Sequence, residues 1–299
     1  MIRRGRQALY IRGQSATLYR WTKAGPQIVN HYNRDEAGIK QLNADVLGDA
    51  TASTFLLVDL LEEEYHIGNV PHVSVYSQDH GIVLARHGER VLRNSPFRFV
   101  QLQGRETQGR RDDKVLCAGI ANGELIDFWL KPLLAKKLSV AGIASVPLLS
   151  HELLRQFTKG QGQHLLVTKT SEHLRLTYFS NGLLKLSRLA AVRGENSDVV
   201  LDAIEKELEK TQLYLGRMRL TMPDKPLSVW MTVEVKYEDV VRQRQATRGN
   251  QAWQLVSLKK LAAQLRLPWR ESDDCEALFV SLGLLRKPVN HYAAPVHLQ

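Results

Sequence analysis

The 299-residue sequence predicts an α/β chain of two like lobes with a small inserted domain. Three observations predict it. A run of strand, turn, strand, hairpin, strand, helix and strand occurs once from Gln7 and again from Leu165. Apolar stretches such as Phe55-Leu56-Leu57-Val58 have the length of buried strands. Between the two runs, the order of predicted elements is β-α-β-β-α-β, the split arrangement of small two-layer domains.

The first run starts with strand formers over Gln7–Arg12, a turn at Gly13-Gln14-Ser15, and a second strand over Ala16–Trp21. Gly25-Pro26 marks the next turn, and Gln27–Tyr32 reads as the third strand. A helix follows from about Glu36 to Leu47, with Ile39, Leu42, Val46 and Leu47 on one face, Asp35 as N-cap and Gly48 as its end. Thr54–Leu61 closes the run as a buried strand. The second run is Leu165–Lys169, a turn at Thr170–Glu172, His173–Phe179, an Asn181-Gly182 hairpin and Leu183–Leu189. Both hairpin residues tolerate positive φ, which makes that signal strong. A helix capped near Asn196 or Ser197 carries Val200, Ile204, Leu208 and Leu215 on one stripe, and Leu227–Val235 is the closing strand.

The intervening segment gives a strand near His66–Val70, a helix over Asp79–Leu92, strands at Phe97–Gln103 and Lys114–Ile120, a helix over Gly123–Leu138 capped by Asn122, and a strand at Val140–Val146 closed by Pro147. Beyond the second run come a helix over Leu255–Leu265, an acidic turn at Glu271–Asp274 and the apolar segment Ala277–Leu285. The proline-bearing tail KPVNHYAAPVHLQ shows no helical period and is expected to be little structured. The resulting domain division is 1–61 for the first half, 62–149 for the insertion, 150–290 for the second half and 291–299 for a flexible tail.

Composition narrows the function classes. Hydrophobic residues make up 43% and charged residues 24%, ordinary for a globular protein. A membrane span needs roughly 20 consecutive apolar residues, and no stretch approaches that. The basic start MIRRGRQALYIRG lacks the apolar core of a signal peptide, so an unprocessed cytoplasmic chain is expected. Cys117 and Cys275 sit in apolar contexts without a C-x-x-C and read as buried free thiols. The formal charge of +10 is spread over small groups, with Asp112 and Asp113 offsetting Arg105, Arg110 and Arg111. Basic residues interleaved with stacking aromatics are missing, so no nucleic-acid partner is expected.

Three stretches carry a family resemblance. KVLCAGIANGELIDFWLKPLLAKKLSVAGIASVPLL, HLLVTKTSEHLRLTYFSNGLLKLSRL and ALFVSLGLLRK resemble segments of the actin-like ATPase superfamily. Within it, the sequence looks most similar to the branch of the PilM-type pilus assembly protein and the cytoplasmic domain of GspL-type secretion proteins. The likeness is one of pattern, over roughly residues 7–290. It implies a duplicated actin-like (ribonuclease H-like) fold. It also implies a place in a type IV pilus or type II secretion assembly platform at the cytoplasmic face of the inner membrane. The implied partner is the cytoplasmic tail of an inner-membrane assembly protein, taken up by a groove or a sheet edge, with a homodimer as a further possibility.

The superfamily holds ATP and magnesium with an acidic residue and a glycine at each of two strand-end turns. The glycine lets backbone N–H groups approach phosphate closely. Here the first turn reads Arg12-Gly13-Gln14-Ser15, with arginine at the acidic position. The second, Lys169-Thr170-Ser171, has neither acid nor glycine, and Val229–Tyr237 lacks the adenosine glycines. Arg12, Gly13, Gln14, Ser15, Thr170 and Ser171 therefore read as vestigial phosphate turns, with no catalytic or metal-binding residue and no cofactor expected. ATP binding with magnesium, or slow hydrolysis, is the alternative, because Arg12 or Lys169 could attract an anion. Glu62-Glu63-Glu64 reads as a solvated or partner-facing patch, and Asp79-His80-Gly81 as an exposed turn.

Overall fold

The computed structural model describes residues 5–49, 51–77, 79–158, 160–170, 173–194, 196–222, 225–248, 253–285 and 291–292. These form two compact units. The first comprises Met1–Trp21, Gln27–Ser145 and Arg286–Gln299, and the second Thr22–Pro26 and Val146–Leu285.

The first unit holds β1 (Arg6–Ile11), β2 (Ser15–Thr22), β3 (Gly25–Asn33), α1 (Glu36–Leu47) and β4 (Ser53–Val58), then β5 (Glu63–Val70), α2 (Asp79–Val91), β6 (Phe97–Arg105), β7 (Asp113–Ile120), α3 (Glu124–Ala135) and β8 (Val140–Ser145). Its main sheet has the order β3-β2-β1-β4-β8. β1 pairs antiparallel with β2 and parallel with β4, and β4 pairs parallel with β8. β1 and β4 are buried along nearly their whole length, as central strands covered on both faces must be, and this explains their continuous apolar runs. The Asp35 carboxylate accepts from the Gly38 N–H at 2.7 Å and starts α1. α1 buries Leu42 and Val46 and packs beside α3.

The second unit holds α4 (Val146–Leu154), β9 (Gln163–Lys169), β10 (His173–Ser180), β11 (Leu183–Ala191), α5 (Ser197–Arg217), β12 (Leu227–Thr232), α6 (Val235–Arg248), β13 (Gln254–Leu255), α7 (Leu258–Gln264) and α8 (Cys275–Leu285). Its sheet order, β11-β10-β9-β12-β13, reproduces the first strand for strand. β9 and β10 are antiparallel, β9 and β12 parallel, β12 and β13 parallel. Asn181 (φ 50°) and Gly182 (φ 74°) form the two-residue hairpin. A Cβ on Gly182 would lie 3.2 Å from the Gly160 carbonyl, so glycine is required there twice over. The Asn196 side chain accepts from the N–H groups of Asp198 and Val199 at 2.9 and 3.2 Å, capping α5. α5 then presses Val200, Ile204, Leu208 and Leu215 onto Leu165, Val167, Leu174 and Leu176.

The insertion is smaller than the sequence order suggests. β5, β7 and β6 make a three-stranded antiparallel sheet under α2, whose core is Val70, Leu92, Val115 and Cys117. The α3 helix and β8, assigned from sequence to that small domain, instead belong to the first five-stranded sheet. β8 is an apolar strand in parallel register with the buried β4, and only the main sheet offers it a partner of that kind. The strand expected to run through Val146 to Pro147 stops at Ser145. Pro147 instead sits in the first turn of α4, where its missing N–H costs no helical hydrogen bond. Both cysteines are buried free thiols. Among the described residues, no helix is long and apolar enough to cross a membrane.

Candidate functional site

The two β-hairpins that open the halves superpose in their hydrogen bonding. In the first, the Arg12 N–H donates to the Ser15 carbonyl at 2.8 Å; in the second, the Thr170 N–H donates to the His173 carbonyl at 2.9 Å. Arg12 is thus the counterpart of Thr170, and Ile11, the last residue of β1, is the counterpart of Lys169, the last residue of β9. Ser171 lies outside the described residues.

At the first turn, Ile11 is fully buried while Arg12, Gly13 and Ser15 are half-buried and Gln14 is exposed. The Arg12 guanidinium donates to the Thr17 hydroxyl at 3.0 Å and lies 5.7 Å from the Tyr10 ring centre. Thr17 in turn shares a 2.9 Å hydrogen bond with His31 Nδ1. A Cβ on Gly13 would meet nothing within 4 Å, so the chain itself does not demand a glycine there. The Gln14 carbonyl accepts from the Arg34 N–H at 3.0 Å.

One group beside this turn escaped the sequence reading. Asp59 follows β4 directly, is 3% exposed, and its N–H donates to the Ile11 carbonyl at 2.9 Å. Its carboxylate accepts a 2.8 Å hydrogen bond from the Tyr10 hydroxyl. An acidic residue ending the otherwise apolar run STFLLVD was the available signal, since a buried carboxylate needs a built partner.

At the second turn, Lys169 is fully buried. Its ammonium donates to the Thr170 carbonyl and sits 5.9 Å from the Tyr237 ring centre. A buried amine needs such contacts, because a polar group taken from water without hydrogen-bond partners is costly. The Thr170 hydroxyl closes the turn, donating to the His173 carbonyl at 3.2 Å and lying 3.3 Å from its N–H. Tyr237 belongs to α6, which follows β12 and occupies the stretch compared above with the adenosine segment. Lys236 also lies over this ring, 4.9 Å from its centre, and is held by Glu234 at 2.7 Å. The hydrogen bond that Lys236 donates to the Glu234 carboxylate raises the lysine pKa above its ordinary value.

Other titratable groups follow their burial. Desolvation raises the Cys117 thiol to about 11 and pushes Cys275 higher still, so both thiols stay protonated at neutral pH. Among the described residues, no three His, Cys, Asp or Glu side chains are grouped so as to hold a metal ion. Glu62-Glu63-Glu64 is not a uniform surface patch. Strand alternation turns Glu63 into the protein, 7% exposed, while Glu64 stays at the surface and accepts a 2.5 Å hydrogen bond from Ser95. Asp79-His80-Gly81 opens α2 rather than forming a turn.

No protein-family model and no curated protein matches the chain. Among solved structures, it is similar to the PilM–PilN type IV pilus biogenesis complex, at 12% identity and a TM-score of 0.55, covering 94% of this chain and 98% of that one. The fold is actin-like. The duplicated sheet order described above is that fold's frame. Looser likenesses are to a Bacteroides thetaiotaomicron protein with an actin-like ATPase fold and unknown function (9% identity, TM-score 0.46, 88% of this chain and 95% of that one) and to the cytoplasmic domain of EpsL, an inner-membrane component of the Vibrio cholerae type II secretion system (9%, 0.41, 76% and 80%).

Proposed function

We propose that this chain is a non-catalytic scaffold subunit of a type IV pilus or type II secretion assembly platform. In this reading it works at the cytoplasmic face of the inner membrane and holds the cytoplasmic tail of a membrane partner. The observation that carries the proposal is the buried Lys169. In the second turn Thr170 stands at the counterpart of the acidic position, and beside it the Lys169 ammonium is folded back onto the Thr170 carbonyl and the Tyr237 ring. A magnesium triphosphate needs carboxylate or water toward the metal and free N–H groups toward phosphate. The two turns offer Ile11 and Arg12, and Lys169 and Thr170, instead. These residues do not fit the nucleotide. The match over nearly the whole length of a pilus biogenesis protein supports the assembly role.

ATP binding is the competing reading, and Asp59 favours it, being a buried carboxylate beside the first turn. Titration calorimetry with Mg-ATP separates the two. No binding at micromolar nucleotide is expected; submicromolar affinity, or turnover lost in Asp59→Asn, overturns the scaffold reading. Affinity purification from detergent-solubilised membranes tests the other half. A bitopic membrane protein is expected to co-purify through its cytoplasmic tail, and recovery of the chain alone under those conditions removes the assembly role. Sedimentation of the purified chain decides whether it also pairs with a second copy.

A further inference from the structure

The helix α5 turns one side to the second core and ends in side chains that the core does not use. Val200, Ile204, Leu208 and Leu215 face the sheet. Away from it Leu213 is 63% exposed, Tyr214 44%, and the C-cap residue Met218 54%. At about 100° per residue, Lys206, Lys210, Leu213 and Arg217 share the outer side, with Tyr214 at its margin. Lys206, Lys210, Arg217 and Arg219 are exposed too. The chain leaving the helix is pinned to the sheet. The Tyr178 hydroxyl donates to the Leu220 carbonyl at 2.9 Å. The Gln163 side-chain amide brackets Met222, donating to its carbonyl at 2.9 Å and accepting from its N–H at 2.6 Å. The three apolar side chains thus stand out from a fixed backbone.

Part of this arrangement belongs to the helix itself. Arg219 takes the left-handed conformation (φ 52°) that closes α5, its N–H donating to the Gly216 carbonyl and the Leu220 N–H to the Leu215 carbonyl, both at 3.0 Å. Lys137 and Arg266 fill the same place after α3 and α7, so a cation there is this chain's usual helix end. Capping does not account for Leu213, Tyr214, Arg217 and Met218. Charge along α5 is also segregated. Asp198, Asp202 and Glu205 lie in its first half, where Arg244 pairs with all three. Glu207 is engaged by Arg188 and Lys210 at 2.8 and 2.6 Å. From Leu208 to Met222 the cations Lys210, Arg217 and Arg219 outnumber the one acid, Glu209. Asp202 and Arg217 stand about 22 Å apart along the axis at the helical rise. That exceeds the roughly 8 Å over which charge acts in physiological salt, so the basic end meets a neighbouring surface without the acidic one.

We propose that the C-terminal end of α5 is a membrane-contact surface, at which Leu213, Tyr214 and Met218 enter the headgroup layer of a bilayer while Arg217 and Arg219 bind its anionic phosphates. Charge and shape select this occupant. Arginines around protruding apolar and aromatic side chains complement a negative layer that yields to them, and a tyrosine ring with its hydroxyl suits the headgroup level. Guanidinium groups pair with phosphate through two parallel hydrogen bonds. Side chains this exposed project outward and do not enclose a peptide. Among the described residues no helix can cross a membrane, so the contact is peripheral and reversible. It goes beyond the scaffold reading and does not rest on it, since it concerns lipid and that reading concerns a protein tail.

Flotation of the purified full chain tests this, with vesicles of phosphatidylcholine alone and of phosphatidylcholine mixed with phosphatidylglycerol. The chain is expected to float with the phosphatidylglycerol vesicles only and to be released by high salt. Arg217→Gln with Arg219→Gly is expected to weaken binding about 20- to 30-fold, at roughly fivefold for each cation near an anionic surface. Arg219→Gly by itself suits the left-handed position, so its share of the loss cannot come from unfolding. Leu213→Ser with Met218→Ser, both at exposed positions, is expected to weaken binding about tenfold. No flotation, equal flotation by variants and unaltered chain, or equal flotation with neutral vesicles overturns the proposal. Self-association that Leu213→Ser with Met218→Ser abolishes, without flotation of the unaltered chain, assigns the surface to a second copy and overturns it as well. Vesicle binding with an empty membrane purification would keep this surface and remove the assembly role. The reverse pattern would remove the surface alone.

Discussion

The two opening hairpins share a frame and differ in what the frame encloses. Each has the same turn hydrogen bond and the same parallel neighbour, β4 for β1 and β12 for β9. In the first hairpin the last strand residue is Ile11, the cation sits one residue later at the half-buried Arg12, and the space over Gly13 is open. In the second the last strand residue is itself the cation, fully buried, with the turn closed by the Thr170 hydroxyl. Backbone register is held by ladders and apolar faces, which duplication preserves. The electrostatics of a turn depend on one or two side chains, which it does not.

The sharpest way to break this comparison is to restore an acid to each turn. Lys169→Asp places a shorter carboxylate against the Thr170 carbonyl in a fully buried position, leaving both a cavity and an unpaired charge. A loss of about 3–5 kcal/mol in urea unfolding is expected. Arg12→Asp, at a half-buried site, is expected to cost about 1 kcal/mol or less. Similar losses at both sites would show that the two turns are equally enclosed and would erase the contrast.

Acid should act on the first unit and spare the second hairpin. His291 and Tyr292, in the tail expected to be little structured, are buried in the first unit. Burial lowers the His291 pKa to about 4, from an ordinary 6.5. Packed in place, the segment therefore binds fewer protons below pH 6.5 than when released. Its stability is complete above that value and is lost as pH falls toward 4. The groups facing the ring are Phe99 of β6 and the Ser145 N–H of β8, with Tyr292 alongside and Glu63 of β5 beyond it. Between pH 7 and pH 5 this packing is expected to weaken by about 2 kcal/mol, roughly 30-fold. The probe is hydrogen exchange at residues 291–292 against that at β9 and β10. A pH-independent ratio would mean that His291 stays neutral in both states.

Much of this frame was legible in the sequence. The β1–β2 and β9–β10 turns, the Asn181-Gly182 hairpin, and the caps Asp35 and Asn196 all rest on local chemistry, and each lies where its residue type demands. What could not be read depends on partners distant in sequence. The Val235–Arg248 segment, rich in charge, shows no apolar stripe, yet it is helical. Tyr237 and Val241 bury against the second core, and Arg244 reaches Asp198 and Asp202 of α5 at 2.8 and 2.5 Å. β8 looked like part of the insertion because sequence order cannot tell which sheet a strand joins. Glu63 looked like surface in a run of three acids, since its partner Tyr292 stands at the far end of the chain.

The caps allow a finer comparison, because Asp35 and Asn196 serve equivalent helices in the two halves. Asp35→Ala and Asn196→Ala are each expected to cost about 1 kcal/mol. Asn196 satisfies two N–H groups and Asp35 accepts from Gly38. A loss for Asn196→Ala well below that for Asp35→Ala would place α5's stability in its apolar stripe and its ion pairs to Arg244 rather than in its cap.

Gly13→Ala has the smallest expected effect and bears most directly on what the first turn is for. The backbone φ at Gly13 lies outside the left-handed region, and the added methyl meets no atom within 4 Å. By the fold's own mechanics the substitution is free of strain and restricts the unfolded chain, so a gain of about 0.4–1 kcal/mol is expected. A glycine that the polypeptide does not need is either simply tolerated or kept for a ligand that approaches the backbone there. If Gly13→Ala stabilises the chain and calorimetry shows no anion binding in either form, tolerance is the sufficient explanation. If it stabilises the chain but removes an anion-binding signal that the unaltered protein shows in calorimetry, the open first turn has kept a ligand that the closed second turn has lost.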